Sequence, residues 1–223
     1  MTNSNQKKIW NQLSQNTKLD DVLAEFISPR VFQLELKPTL DKYAHQDAKI
    51  IEVGCNFGAS SFILDNRFQK TLLDLNSEAI EIARQAYEYL GVYDATFVVA
   101  DMFDMPFDDG TFDVVFNAGV IEHFSKEQRT QAIIEYQRIL NDSGTMIIAY
   151  PNNKSIPYFT SMKIRKMIKR WSYPDDFPMK DFCDEVKSMQ GLTLKSYSVI
   201  SKIRTDEDFQ IYIQIFVWIP KRF

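Results

Sequence analysis

Apolar and polar positions change rhythm near residue 48. Before it, Leu19, Val22, Leu23 and Phe26 recur at helical spacing until Pro29 ends the segment, and no strand-like alternation occurs. Residues 1–47 are therefore expected to form a cap of short helices, broken again near Pro38. After it, short apolar runs alternate with amphipathic stretches. Lys49–Val53 and Phe68–Leu75 read as buried strands, with a helix over 58–67 between them. Asn76 and Ser77 offer an N-cap to a helix whose stripe is Ala79, Ile82, Ala83, Ala86 and Leu90, with Gly91 at its stop. Strands are predicted at Ala95–Ala100, Phe112–Asn117 and Thr145–Tyr150, and Ser125 with Gln128 makes a capping box for a helix through about Leu140. Strand–helix alternation with short links predicts an α/β fold: a mostly parallel sheet with helices on both faces.

The tail reads differently. Leu192–Ile200 and Phe209–Ile219 are two strands with no helix between them, and their short link around Arg204–Asp208 predicts antiparallel pairing. The last strand puts Ile211, Ile213, Ile215, Val217 and Ile219 on one face and Tyr212, Phe216 and Trp218 on the other, so it belongs inside the sheet. Gly91 and Gly191 read as helix stops, and Gly110 and Gly144 as turns before strands. Gly54 and Gly58 are left on the first strand-to-helix connection.

Composition narrows the function classes. Of 223 residues, 45% are hydrophobic and 25% charged, which excludes a disordered chain. The longest apolar stretch, near 211–220, is interrupted by Gln214 and is too short for a membrane span, and the polar N-terminus lacks the apolar core of a secretory signal. With only Cys55 and Cys183, the expected setting is cytoplasmic. Those cysteines and the two histidines, His45 and His123, are too scattered for a zinc site, and no metal is expected. A net charge of −4 argues against general nucleic-acid binding. The 154–171 segment runs the other way: six cations and no acid, interleaved with Phe159, Met162, Ile164, Met167, Ile168 and Trp171, leaving the rest of the chain at −10. It reads as a basic amphipathic helix that either meets an anionic ligand or surface or simply faces solvent.

In an open parallel sheet, ligands bind at the carboxyl ends of the strands. The loop after the first strand is EVGCNFG, Glu52 to Gly58; Gly54 permits a tight turn, Gly58 a close backbone approach, and Asn56 stands at the middle position as a residue tolerant of positive φ. Asp74 ends the second strand 22 residues after Glu52, where a carboxylate can accept from both hydroxyls of a ribose or cap the next helix. Asp101 and Met102 follow the third strand, placed to read an adenine edge. NAGVIEHF, Asn117 to Phe124, follows the fourth. Cys55 has no histidine or base motif beside it and reads as a packed residue.

The motifs IIEVGCNFGASS, TLLDLNSEAIEIAR, FVVADMFDMPFDDGTFDVVFNAGVIEHF and GTMIIAYPN, in this order from Ile50 to Asn152, resemble class I S-adenosylmethionine (SAM)-dependent methyltransferases of the small-molecule, ubiquinone-biosynthesis-like type. The resemblance implies a Rossmann-like seven-stranded sheet with an antiparallel C-terminal strand. It implies a methyltransferase domain over 48–223, with the helical insert 152–191 as acceptor-site lid. It also implies SAM as cofactor and S-adenosylhomocysteine as product. Gly54, Asn56 and Gly58 would line the methionine portion, with Glu52 near its ammonium. Asp74 with Leu75 would hold the ribose, Asp101 and Met102 the adenine, and Asn117 would lend a carbonyl near the amino-acid end. Asn56 in place of glycine is the departure. Glu122 and His123 are the candidate bases, if the acceptor must lose a proton, with loop ordering the other role open to His123. Tyr150 belongs either to the acceptor pocket or to the core. The expected partner is a small-molecule acceptor that takes the methyl through O, N, C or S. An RNA or protein methyltransferase, or a silent SAM-fold binding subunit, are the competing readings; oligomeric state stays open.

Overall fold

The computed structural model describes residues 4–151, 156–168, 192–202 and 211–220. Its seven-stranded sheet runs β3 (Ala95–Val99), β2 (Gln69–Asp74), β1 (Lys49–Val53), β4 (Phe112–Ala118), β5 (Leu140–Pro151), β7 (Ile211–Pro220) and β6 (Leu192–Lys202). The first five are parallel, and β7 is antiparallel to both of its neighbours. Among the described residues, seven α-helices flank it: α1 (Ser4–Asn16), α2 (Leu19–Ile27), α3 (Val31–Tyr43), α4 (Ala59–Phe62), α5 (Ser77–Tyr89), α6 (Lys126–Ile139) and α7 (Ile156–Met167).

The two-residue period of each strand divides the core between the sheet's faces. Ile51, Val53, Val115 and Ile148 meet α6 through Ile133 and Tyr136. Ile50, Val114, Phe116 and Ile147 lie under Leu36 and Leu40 of α3. On that same side Leu72 joins Ile80 and Tyr87 of α5 with Val22 and Phe26 of α2. Val217 and Trp218, adjacent on β7, fall in opposite clusters at 1% exposure each, as an interior strand requires.

Local signals that involve a cap or a partner strand hold. Asn76 caps α5, accepting from Glu78 N and Ala79 N, and Ser125 with Gln128 forms the capping box of α6. Gly91 stops α5 at φ +74°. The stripe of α5 is rotated from its predicted position: Ile80 and Tyr87 are buried, Ile82 and Leu90 only partly. Other expectations change. Pro38 does not break the N-terminal region but sits inside α3. It is exposed, and the carbonyl it deprives belongs to the half-exposed Leu34, so the apolar face carrying Leu36 and Leu40 continues past it. The predicted helix over 58–67 shrinks to the single turn of α4. Leu64 N donates to Ser61 O, and the Asp65 carboxylate takes Arg67 N at 2.9 Å, a local turn that outcompetes the helix. Gly144 is not in a turn before a strand. It lies in β5, where the register slips between Phe112–Leu140 and Val114–Thr145. Gly191 and the Arg204–Asp208 link lie outside the described residues. Among the described residues, no helix is long and apolar enough to cross a membrane.

Gly58 is the tightest junction between loop and sheet. It caps α4 at φ +79°, and a Cβ there would lie 2.3 Å from Leu72 Cδ2. Gly91 has a similar φ but open space around it. Gly58→Ala is therefore expected to destabilise the protein by about 2–4 kcal/mol, and Gly91→Ala by only about 1 kcal/mol. Urea unfolding checks this, and equal losses in the two variants would refute the packing argument.

Candidate active site

A cavity of about 350 Å³ opens at the carboxyl ends of the parallel strands, across the β1–β4 junction where the strand order reverses. Its floor begins with the loop after β1. Gly54 N and Cys55 N both donate to Leu73 O, which ties the turn to β2. Gly54 has φ +73°, and Asn56 takes up φ +48°, the left-handed conformation for which asparagine is suited. A Cβ on Gly54 would lie 2.7 Å from Val120, so no larger residue fits between this loop and the one after β4.

Asp74 locks the same turn. Its Oδ2 accepts from Asn56 N at 2.9 Å and its Oδ1 from Asn76 N at 2.9 Å. Asp74 thus braces the loop and holds Asn76, the residue that caps α5, while lining the cavity. Burial raises its carboxyl above the usual carboxylate range, against the pull of those backbone donors. Glu52 lies one strand away and is 3% exposed. Its Oε2 accepts from Ser61 N at 3.0 Å and Ser61 Oγ at 2.6 Å. Burial pushes it up to about 7, with the neighbouring Asp74 adding to the rise. The acids Glu25, Glu52, Asp74, Asp101 and Glu122 line the cavity against the cations Lys7 and Arg30. Such a site favours a positively charged ligand.

Most residues singled out in the sequence converge here. Glu52, Gly54, Asn56, Asp74, Leu75, Asp101, Met102, Glu122, His123 and Tyr150 all line the cavity. Asp101 Oδ1 accepts from Phe103 N at 3.1 Å, which folds the loop after β3. Glu122 and His123 sit on a 3₁₀ turn, Ile121–His123, at 5% and 6% exposure. Gly58 and Asn117 are not among the lining residues. Gly58 packs on Leu72, and Asn117 Nδ2 turns toward α6, donating to Tyr136 Oη at 3.0 Å. Cys55 is buried, and its thiol is pushed well above its ordinary range by burial, which makes it a packing residue.

Sequence reasoning missed the roof. Lys7, Trp10 and Asn11 of α1, Glu25 of α2, and Arg30, Phe32 and Gln33 at the start of α3 all line the cavity. The Trp10 ring meets His123 edge-on, with centroids 5.5 Å apart. Gln33, 1% exposed, donates to Glu25 Oε1 and accepts from Arg30 N, and Glu25 also pairs with Arg30 at 3.0 Å. Gly119, at φ +74° after β4, was also overlooked, although a glycine directly after a strand is itself a turn signal. No described residue of α7 is among the lining residues. Met162 is buried, while Ile164, Met167 and Ile168 are exposed. The Phe159 side chain and Trp171, in the segment expected to form the acceptor-site lid, lie outside the described residues. Among the described residues no group of His, Cys, Asp and Glu is arranged to hold a metal.

The state of Glu52 has a consequence for stability. Its folded-state value near 7 lies above the ordinary 4.5, so the unfolded chain gives up this proton first. As pH rises from about 4.5 to 7 the group therefore destabilises the fold, and above 7 its effect is constant. Glu52→Gln keeps an acceptor for Ser61 without a buried charge. It should stabilise the ligand-free protein by about 2 kcal/mol at pH 8, a few degrees in Tm, with the gap closing toward pH 5. Thermal melts across pH check this, and a pH-independent gap would contradict it.

Comparison with known proteins agrees with this geometry. Residues 50–144 match the family described as methyltransferase domain. Tocopherol O-methyltransferase of Arabidopsis thaliana is 30% identical over 104 residues, 45% of this chain and 29% of that protein. A Mus musculus protein named "Probable tRNA methyltransferase 9B" is 34% identical over 101 residues, 44% of this chain and 21% of that protein. In both cases the match spans less than a third of the relative's length. Among solved structures, geranyl diphosphate C-methyltransferase of Streptomyces coelicolor A3(2), in complex with Mg2+, geranyl diphosphate and S-adenosyl-L-homocysteine, superposes with a TM-score of 0.70 at 13% identity, covering 99% of this chain and 100% of that one. Residues 50–144 thus match a methyltransferase domain, set in a Rossmann-like sheet with the cavity at the point where the strand order reverses.

Proposed function

We propose that this chain transfers the methyl group of SAM to a small-molecule acceptor by in-line displacement inside the roofed cavity. The observation that carries the reading is that one cavity joins two distinct ends. At one lie Asp74 and the Gly54–Asn56 turn; at the other, His123, Tyr150 and the N-terminal helices.

The residues present fit the cofactor. Asp74 accepts from the backbone N–H groups of Asn56, Asn76 and Leu75, and a carboxylate's four lone-pair sites leave room beside these for a ribose hydroxyl. Asp101 and Met102 stand one strand further along, where an adenine edge would lie. Gly54, Asn56 and Glu52 would hold the methionine portion, whose ammonium and sulfonium charges the excess of carboxylates lining the cavity would suit. When bound, SAM supplies a methyl group on a sulfonium, which leaves as neutral S-adenosylhomocysteine. The chain's own work is placement and proton transfer. A buried wall holds the acceptor in line and excludes water, where orientation alone contributes on the order of 7–11 kcal/mol. For an O–H or N–H acceptor, an imidazole nitrogen of His123 takes the proton as the new bond forms, with Glu122 on the same turn and the Trp10 ring fixing the imidazole plane.

The roof supports a small acceptor over RNA or protein, since α1 and the start of α3 line the site from above. Among the described residues, the lysine and arginine that line the cavity are Lys7 and Arg30, and an acceptor bearing a carboxylate or phosphate would be read by them. Incubation with methyl-labelled SAM and a panel of small acids, phenols and phosphates tests the reading, with bulk tRNA and protein in parallel. Label transfer only to tRNA or protein would overturn it.

Two variants test the division of labour. Asp74→Asn removes the carboxylate, and affinity for S-adenosylhomocysteine should fall on the order of 10–100-fold by calorimetry. His123→Ala should lower kcat with the best acceptor while leaving that affinity within about threefold. Unchanged affinity in the first, or unchanged kcat in the second, would remove that residue from its role.

A further inference from the structure

Asn76 does more than a cap needs. Its Oδ1 accepts from Glu78 N at 3.0 Å and Ala79 N at 3.3 Å, which starts α5. Asp or Ser would serve that end equally well. The amide donors are used elsewhere: Nδ2 donates to Ser14 Oγ at 2.8 Å and to Trp10 O at 3.3 Å, both on α1 and more than sixty residues away in the chain. Ser14 is 2% exposed, and its hydroxyl in turn donates to Trp10 O at 3.2 Å. Asn76 N donates to Asp74 Oδ1, and the other oxygen of Asp74 holds Asn56 N. A continuous run of hydrogen bonds therefore links the turn after β1, Asp74, Asn76 and the backbone of Trp10. The ring of Trp10 completes the path at His123.

We propose that Asn76 is a positioning residue: a latch that seats α1 on the cofactor side of the site and so sets the Trp10 wall against His123. A ligand hydroxyl on Asp74 steadies the carboxylate that orients Asn76, so cofactor occupancy tightens α1 and completes the acceptor wall. The prediction is ordered assembly, with the cofactor seated before the acceptor pocket is finished. The coupling half of this inference rests on Asp74 holding the cofactor ribose; the latch itself does not.

Hydrogen exchange of the full chain, with and without S-adenosylhomocysteine, separates the two. Asn76→Asp keeps the cap oxygen and loses both donors; Ser14→Ala removes the nearer partner and leaves Asn76 and Asp74 untouched. Without ligand, amides of α1 should exchange roughly three- to tenfold faster in both variants, with α5 protection unchanged. With ligand, α1 should gain protection in the wild type and much less in Ser14→Ala, whose affinity for S-adenosylhomocysteine should fall only by the few-fold that the lost coupling carries. Unchanged α1 exchange in both ligand-free variants overturns the latch, as does equal loss of protection in α5. Wild-type protein that binds the ligand without protecting α1 overturns the coupling. Wild-type protein that does not bind it at all refutes the cofactor reading and the coupling together, while the ligand-free comparison still decides the latch.

Discussion

Two neighbouring carboxylates at the strand ends, Glu52 buried and Asp74 half-buried, are the constraint on which this site depends. Asp74 and Glu52 end adjacent parallel strands, and both are raised above the usual carboxylate range by burial. The fold tolerates them by supplying backbone donors: Asn56 N and Asn76 N to Asp74, Ser61 N to Glu52. The Asn56 donor also shapes the site, because it belongs to the turn after β1, where Gly54 and Asn56 adopt left-handed φ. Loop conformation, charge and ligand preference are thus one arrangement. A cationic ligand would relieve the repulsion between Glu52 and Asp74, so binding and stability are linked through the same two groups.

The roof answers a different need. A cofactor fold alone leaves its strand ends open to water, whereas an in-line displacement gains from a dry, ordered wall. Here the wall comes from the helices that precede the sheet. They are held from below by the Asn76 amide and from the side by the Glu25–Arg30–Gln33 cluster. The 154–171 segment, with its concentration of positive charge, does not share in this wall through any described residue.

Much was legible in the sequence because it depended on neighbours along the chain. The strands announce themselves as runs that are apolar on both faces, Asn76 and Ser125 as caps, and the glycine loop by spacing. Asp74 could be placed because a parallel sheet puts every strand's carboxyl end on one side, so a strand end is already an address. Asn56 could be read as a left-handed residue from its side chain alone. Where local rules failed, a competing contact had won. Pro38 is carried inside α3 because its missing bond lies on the wet face. The 58–67 helix stops after one turn because Asp65 closes a turn of its own.

What the sequence by itself determined is the sheet, its alternation with helices, and the acids at the strand ends, since each follows from periodicity or from short-range hydrogen bonding. Only the tertiary structure decided what stands above those acids. The contacts of Asn76 with Trp10 and Ser14 span 66 and 62 residues, and no periodicity in either segment encodes them. The same holds for Gly58 and Asn117. Gly58 sits in the loop after β1 and Asn117 near the end of β4, yet one packs on Leu72 and the other turns to Tyr136, because the contacts are set by what fills the space behind the strand.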